Sequence, residues 1–177
     1  MDASFAPDWH DDDGVSVSGF LVYFAGGPIA WASHKQKHVA GSTCESEFIA
    51  LSECLNVIEW IRHFLGELGI IQQKTKVFED NQAAISLATS LSVSGTSRHV
   101  VVRYARVREA VANETLDVIY VPTNLQYADT LTKVVSTPNF IKKLPFILGQ
   151  SVSDIKRSRH PFIDSYAVSR GSSVVSI

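Results

Sequence analysis

The 177 residues predict a mixed α/β fold. Three features point to it. Strand-forming residues open the chain in a meander, a long amphipathic run follows, and short β-branched segments then alternate with helix-like ones. The first strand is read around Asp2. Gly19 to Ala25 (GFLVYFA) is rich in strand formers, Gly26-Gly27-Pro28 interrupts it, and Ile29 to Ser33 (IAWAS) resumes it, which predicts a β-hairpin over Ser16–Ser33. His34 to Val39 reads as a polar connector. Ser42-Thr43-Cys44-Glu45 has the form of a capping box. Behind it Phe48, Leu51, Cys54, Leu55, Ile58, Ile61 and Leu65 recur at steps of three and four, predicting a helix that ends near Gly69. Lys76–Asp80 reads as a short strand, Asn81–Thr89 as a short helix and Ser90–Ser97 as a loop. Arg98–Asn113 reads as a basic helix, Leu116–Val121 as a strand closed by Pro122, and Gln126–Val134 as a last helix.

The length suits one domain, assigned to residues 1–149. From Gln150 the composition shifts: eight of the last 28 residues are serine and no periodicity survives, so 150–177 reads as a disordered or loosely packed tail. The two cysteines, Cys44 and Cys54, are ten residues apart on one expected helix, roughly 15 Å by helical rise, which is too far for a disulfide. Cysteine use this sparse excludes a thiolate zinc site and fits a reducing compartment. No apolar stretch approaches a membrane span, and residues 1–13 are acidic where a secretory signal would be basic and then apolar. The expected location is therefore cytoplasmic or nuclear, not secreted. A net charge of −2 excludes a generic basic nucleic-acid coat but not a site-specific binder.

The acidic residues carry the chemistry. Asp80 ends a strand just before a helix, the sheet edge where α/β proteins bind ligands. Asp129 opens the last helix, and Asp2 lies on the first strand. On the long helix, at about 100° per residue, Glu47 falls roughly 40° from the centre of the apolar stripe and Glu45 roughly 120° away. Glu47 therefore points at the core, while Glu45 belongs to the capping box. A core-directed carboxylate must be paired, protonated or metal-bound, and no matching buried lysine or arginine is evident in the sequence. An all-oxygen donor set selects magnesium or manganese over zinc. Acidic residues at helix starts also stabilise the helix dipole, and spacing alone leaves both readings open for Glu47, Asp80 and Asp129.

The runs DASFAPD (2–8), SVSGF (16–20), GPIAW (27–31), KQK (35–37), STCESEFIAL (42–51), EDNQAAI (79–85), Arg98-His99-Val100, Arg103-Tyr104, Arg108-Glu109, YVPT (120–123) and ADTLTK (128–133) stand in the order found in one family. Over about residues 2–135 the chain resembles the ribonuclease H domain of copia-type retrotransposon polyproteins. The resemblance implies a ribonuclease H-like fold with a mixed five-stranded sheet, order 3-2-1-4-5, flanked by helices. It implies hydrolysis of the RNA strand of RNA–DNA hybrids with two Mg2+ (or Mn2+) ions, held by the catalytic carboxylates Asp2, Glu47, Asp80 and Asp129. Asp8 matches an acidic position of the family other than the metal ligand.

Backbone contacts to the hybrid are assigned to Lys35, Lys37, Arg98, Arg103 and Arg106, the basic helix face being otherwise a solvated one. No small-molecule substrate and no membrane are implied, and a reverse transcriptase portion is expected in the parent polyprotein. His99 is read as a structural histidine, Trp31 and Trp60 as packing residues, and His10 amid Asp11-Asp12-Asp13 as a chance cluster. The chain departs from the family pattern at Gly14-Val15, Val101, Ala105 and Val134, where basic or polar residues or a proline are usual. The first strand is expected to be incomplete, because Met1 directly precedes Asp2, and isolated activity is accordingly expected to be weak. The alternative reading is a catalytically silent remnant that keeps the fold as a nucleic-acid-binding or interaction module.

Overall fold

The computed structural model describes residues 1–5, 14–90, 98–149 and 174–175. The first strand, β1 (Asp2–Ser4), pairs antiparallel with β2 (Val17–Phe24), and Asp2 lies opposite Gly19. β2 pairs antiparallel with β3 (Gly27–Lys35) across a tight turn in which Ala25 and Gly26 both have positive φ. Such turns match the twist of the strands they join. β3 runs to Lys35, two residues past the expected connector boundary, because the ladder continues as far as Val17 opposite Lys35. A second sheet has β4 (Thr75–Glu79) at its centre, with β5 (Leu116–Tyr120) parallel on one side. On its other side Val174–Val175 forms a parallel two-residue strand, β6. The rest of the Ser-rich tail lies outside the described residues, as does the segment 91–97.

The two sheets meet at β1 and β4. The Met1 amino group donates to Phe78 O at 2.9 Å. The buried Gln126 side chain donates to Met1 O at 2.6 Å and to Phe78 O at 3.3 Å, so one amide ties both main chains.

Helix α1 (Thr43–Glu67) forms where the periodicity predicts it. Ser42 Oγ accepts from Glu45 N, and Glu45 Oε2 accepts in turn from Gly41 N at 2.8 Å. Its apolar stripe of Phe48, Leu51, Leu55 and Ile58 packs with Phe20 and Val22 of β2, Val77 of β4 and Leu116 of β5 in one core. Two further helices, α2 (Gln82–Thr89, capped by Asn81 Oδ1) and α3 (Arg98–Ala112), connect β4 to β5. Tyr104 of α3 meets Phe48 edge-on at 4.2 Å between ring centroids.

The expected helix over Gln126–Val134 is shorter. A 3-10 turn (Thr123–Leu125) precedes α4 (Asp129–Thr132), which spans four residues. Gln126 is committed to the β1–β4 junction and stays outside the helix. A further helix, α5 (Thr137–Ile147), follows; no helix is expected there from the sequence. Its Phe146 stacks on Tyr127 at 4.5 Å, and both pack with Leu21 on the face of β2 opposite α1. β2 is therefore covered on both faces, which explains its near-continuous apolar run. Trp31 and Trp60 are not packing residues: they are 67% and 66% exposed. Trp31 stands on the outer face of β3, and Trp60 stacks on Phe64 along the exposed side of α1.

Candidate metal centre

Three of the expected carboxylates converge. Asp2 comes from β1, Glu47 from the start of α1 and Asp80 from the residue after β4. One carboxylate oxygen from each lies within 4.8 Å of the others, forming the three-carboxylate group found among the described residues. Asp2 is 1% and Glu47 4% exposed, while Asp80 is half-buried. Each placement has a local cause. Asp2 pairs with Gly19 and lies with it on the side of the strands that faces Thr132 of α4, Glu47 lies on the stripe that packs α1 onto the sheets, and Asp80 closes a strand before the Asn81 cap.

The electrostatics are those of negative charge held out of water. Burial first, then the charge of Glu79, Asp2 and Asp80, pushes the Glu47 carboxyl up to about 10. Burial likewise raises Asp2 to about 6, against the Thr132 hydroxyl that donates to its Oδ2. Glu47 Oε2 is buried and has no hydrogen-bond partner. A buried, unpartnered oxygen on a carboxylate that converges with two others fits a hard divalent cation.

Asp129, at the start of α4, is adjacent to Asp2 but outside that group of three. Its Oδ2 accepts from Lys143 Nζ at 2.9 Å, and its Oδ1 lies 2.7 Å from Lys133 Nζ. The Lys133 ammonium is also 3.7 Å from Asp2 Oδ2. Lys143, 6% exposed, additionally donates to Gln126 O. A buried lysine matched to a buried carboxylate is therefore present, contrary to the sequence reading. Partial burial works against the Lys133 ammonium, but its hydrogen bond to Asp129 and the charges of Asp2, Asp129 and Asp80 outweigh that and raise its pKa.

Sequence reasoning also passed over Glu79. It is fully buried, accepts from Asn81 N at 2.9 Å through Oε1, and has no partner for Oε2. Burial, the largest cause, lifts it to about 8. The signal was present: Val77 and Glu79 alternate onto one face of β4, and Val77 is core.

The basic residues are spread over several elements. Lys35 ends β3 and Lys37 follows it, both exposed, while Arg103 is half-buried on α3. Arg106 bonds to α1, to Asn56 Oδ1 at 2.8 Å and Glu59 Oε2 at 2.5 Å. The side chains of Arg98 and His99 lie outside the described residues, as do Asp8, His10 and Asp11–Asp13. No described helix is long and apolar enough to cross a membrane.

No family model and no solved structure matches the chain. Curated relatives do. The chain is 42% identical over 129 residues to a retrovirus-related Pol polyprotein from transposon TNT 1-94 of Nicotiana tabacum, a stretch that covers 73% of this chain and 10% of that protein. It is 35% identical over 150 residues to the Pol polyprotein from transposon RE2 of Arabidopsis thaliana, covering 82% of this chain and 10% of the relative. It is 36% identical over 140 residues to that from transposon RE1 of the same plant, covering 78% and 9%. The chain is thus similar to plant retrotransposon Pol polyproteins and spans about a tenth of their length.

Proposed function

We propose that this chain is a ribonuclease H-like part of a retroelement polyprotein that hydrolyses the RNA strand of RNA–DNA hybrids with two magnesium or manganese ions. The observation that carries the reading is the convergence of Asp2, Glu47 and Asp80, from three separate elements, with Glu47 Oε2 buried and unpartnered. Asp2, Glu47 and Asp80 would hold an ion, with Asp129 beside Asp2 completing the acidic set. Bound there, such ions would supply an activated water and charge neutralisation at the scissile phosphate. The buried surroundings of Asp2 and Glu47 keep competing water away from these carboxylates. Lys35, Lys37, Arg98, Arg103 and Arg106 are the candidates for phosphate contacts. Discrimination of RNA rests on its 2′-hydroxyl and the shape of the hybrid rather than on base edges. The bond from Met1 to Phe78 O and the Gln126 clasp support a join of the two sheets in the order β3-β2-β1-β4-β5. The similarity to Pol polyproteins supports the retroelement setting and a reverse transcriptase elsewhere in a parent protein.

One observation favours a second reading. The Asp2–Asp129 edge is already neutralised by lysine, as in a fold retained for binding without catalysis. A labelled hybrid incubated with magnesium or manganese separates the two. Metal-dependent cleavage of the RNA strand, abolished by Asp80→Asn, is the expected result. Hybrid binding without cleavage would establish the silent module instead.

A further inference from the structure

The two edges of the acidic cluster are not equivalent. On the Glu47 side no lysine or arginine among the described residues pairs with the carboxylate, and Glu47 Oε2 is buried without a partner. On the Asp129 side every charge is met. Lys143 takes Asp129 Oδ2, Lys133 takes Oδ1, and the same Lys133 ammonium reaches to 3.7 Å from Asp2 Oδ2. The two lysines differ in freedom. The Lys143 side chain is 7% exposed and also donates to a main-chain carbonyl, so it is fixed. The Lys133 side chain is 40% exposed, sits just past the end of α4 and makes no such second anchor among the described residues. A lysine is a compact charge on a flexible stem, able to leave one anion for another.

We propose that the Lys133 ammonium and a second divalent ion are alternative occupants of the Asp2–Asp129 edge. The free protein then holds a single ion, on Asp2, Glu47 and Asp80. A second ion is admitted only when Lys133 swings out, which a substrate phosphate favours by offering its ammonium a new partner. Lys143 acts as a positioning residue: bonded to Asp129 Oδ2 and to Gln126 O, it holds the Asp129 carboxylate turned to this edge. This rests on the reading of the three-carboxylate group as an ion site.

The test is manganese binding to the full chain without nucleic acid, followed by calorimetry and by loss of the free Mn2+ paramagnetic resonance signal. Wild type should bind one Mn2+ per chain. Lys133→Met should bind two, or bind its second ion at least tenfold more tightly than wild type does. Lys133→Arg, which keeps the charge, should behave as wild type. Two comparable ions in wild type, or no change in Lys133→Met that still melts cooperatively, would overturn the proposal. Hybrid cleavage sensitive to Asp80→Asn alongside two ions in wild type would overturn this inference alone. No manganese bound by any variant would overturn both it and the ion-site reading.

Discussion

Lys143 Nζ donates to Asp129 Oδ2 at 2.9 Å, and both side chains are almost wholly buried. Breaking a buried pair costs ~3–5 kcal/mol when the remaining charge has no other partner; Asp129 keeps Lys133 at 2.7 Å, which places the loss at the lower end of that range. Lys143→Met should therefore lower unfolding free energy by about 3 kcal/mol in urea titrations. Adding Asp129→Asn to it should recover at least ~1 kcal/mol relative to the sum of the two single changes. Strict additivity would show that the pair is not coupled.

The metal-free protein should lose stability as pH rises. Glu47 is raised from 4.5 to about 10 by burial first and by its acidic neighbours second. Between those values the folded state binds a proton that the unfolded state has released, so the slope of unfolding free energy with pH is negative. The stabilisation is complete below the unfolded value and declines on the order of 1 kcal/mol per pH unit through the window. Melts in chelator should be highest near pH 5 and fall towards pH 9, and Glu47→Gln should make the decline shallower, the remaining slope coming from Asp2 and Glu79, which burial also raises. Divalent cation should oppose the decline, since it binds the deprotonated form. A flat wild-type profile would contradict the burial assigned to Glu47.

How much of this was legible in the sequence depends on which physical signal each residue gives. Glu47 could be separated from Glu45 because helical geometry fixes direction relative to an apolar stripe, and Asp80 because a strand end before a cap is a local pattern. Lys143 was not legible because α5 conceals itself. Its buried side carries Lys143 and Phe146, while Phe140 and Ile141 are exposed, and Pro145 lies inside the helix. Hydrophobic periodicity cannot find a helix whose inward face is centred on a lysine. The length of α4 was misjudged for a related reason: Gln126 is held by two main chains distant in sequence, and no local propensity reports that. Trp60 was legible and overlooked: the helical geometry that separates Glu47 from Glu45 puts it on the side of α1 opposite the apolar stripe, where it is exposed.

Gln126 carries the junction between the two sheets, so its loss should be felt there first. Gln126→Leu keeps the volume but leaves Met1 O without its donor and removes the weaker bond to Phe78 O. An unsatisfied buried carbonyl costs ~1–3 kcal/mol. Equilibrium unfolding should show a loss of that order. Amide exchange should accelerate in β1 and β4 while the β2–β3 hairpin stays protected. Uniform acceleration through both sheets would mean that the clasp is not a local joint.

Gly19 links the fold to the acidic site. It pairs with Asp2 on β1, and a Cβ placed on it would lie 2.6 Å from Thr132 Cγ2, 3.0 Å from Leu131 Cβ and 3.3 Å from Ala128 O. The strand and α4 thus approach to a distance that only glycine permits. Thr132 is the residue whose hydroxyl donates to Asp2, and Asp129 opens the same helix. Gly19→Ala should therefore cost ~1–3 kcal/mol by overpacking and should also push α4 off β2, lengthening the Thr132–Asp2 bond. The second effect separates it from an ordinary core defect: first-ion affinity should fall by more than the same stability loss produces in Leu21→Ala, which thins the packing beneath α4 without wedging it away. Equal ion affinity in the two variants, at matched stability, would show that α4 can shift without moving Asp2.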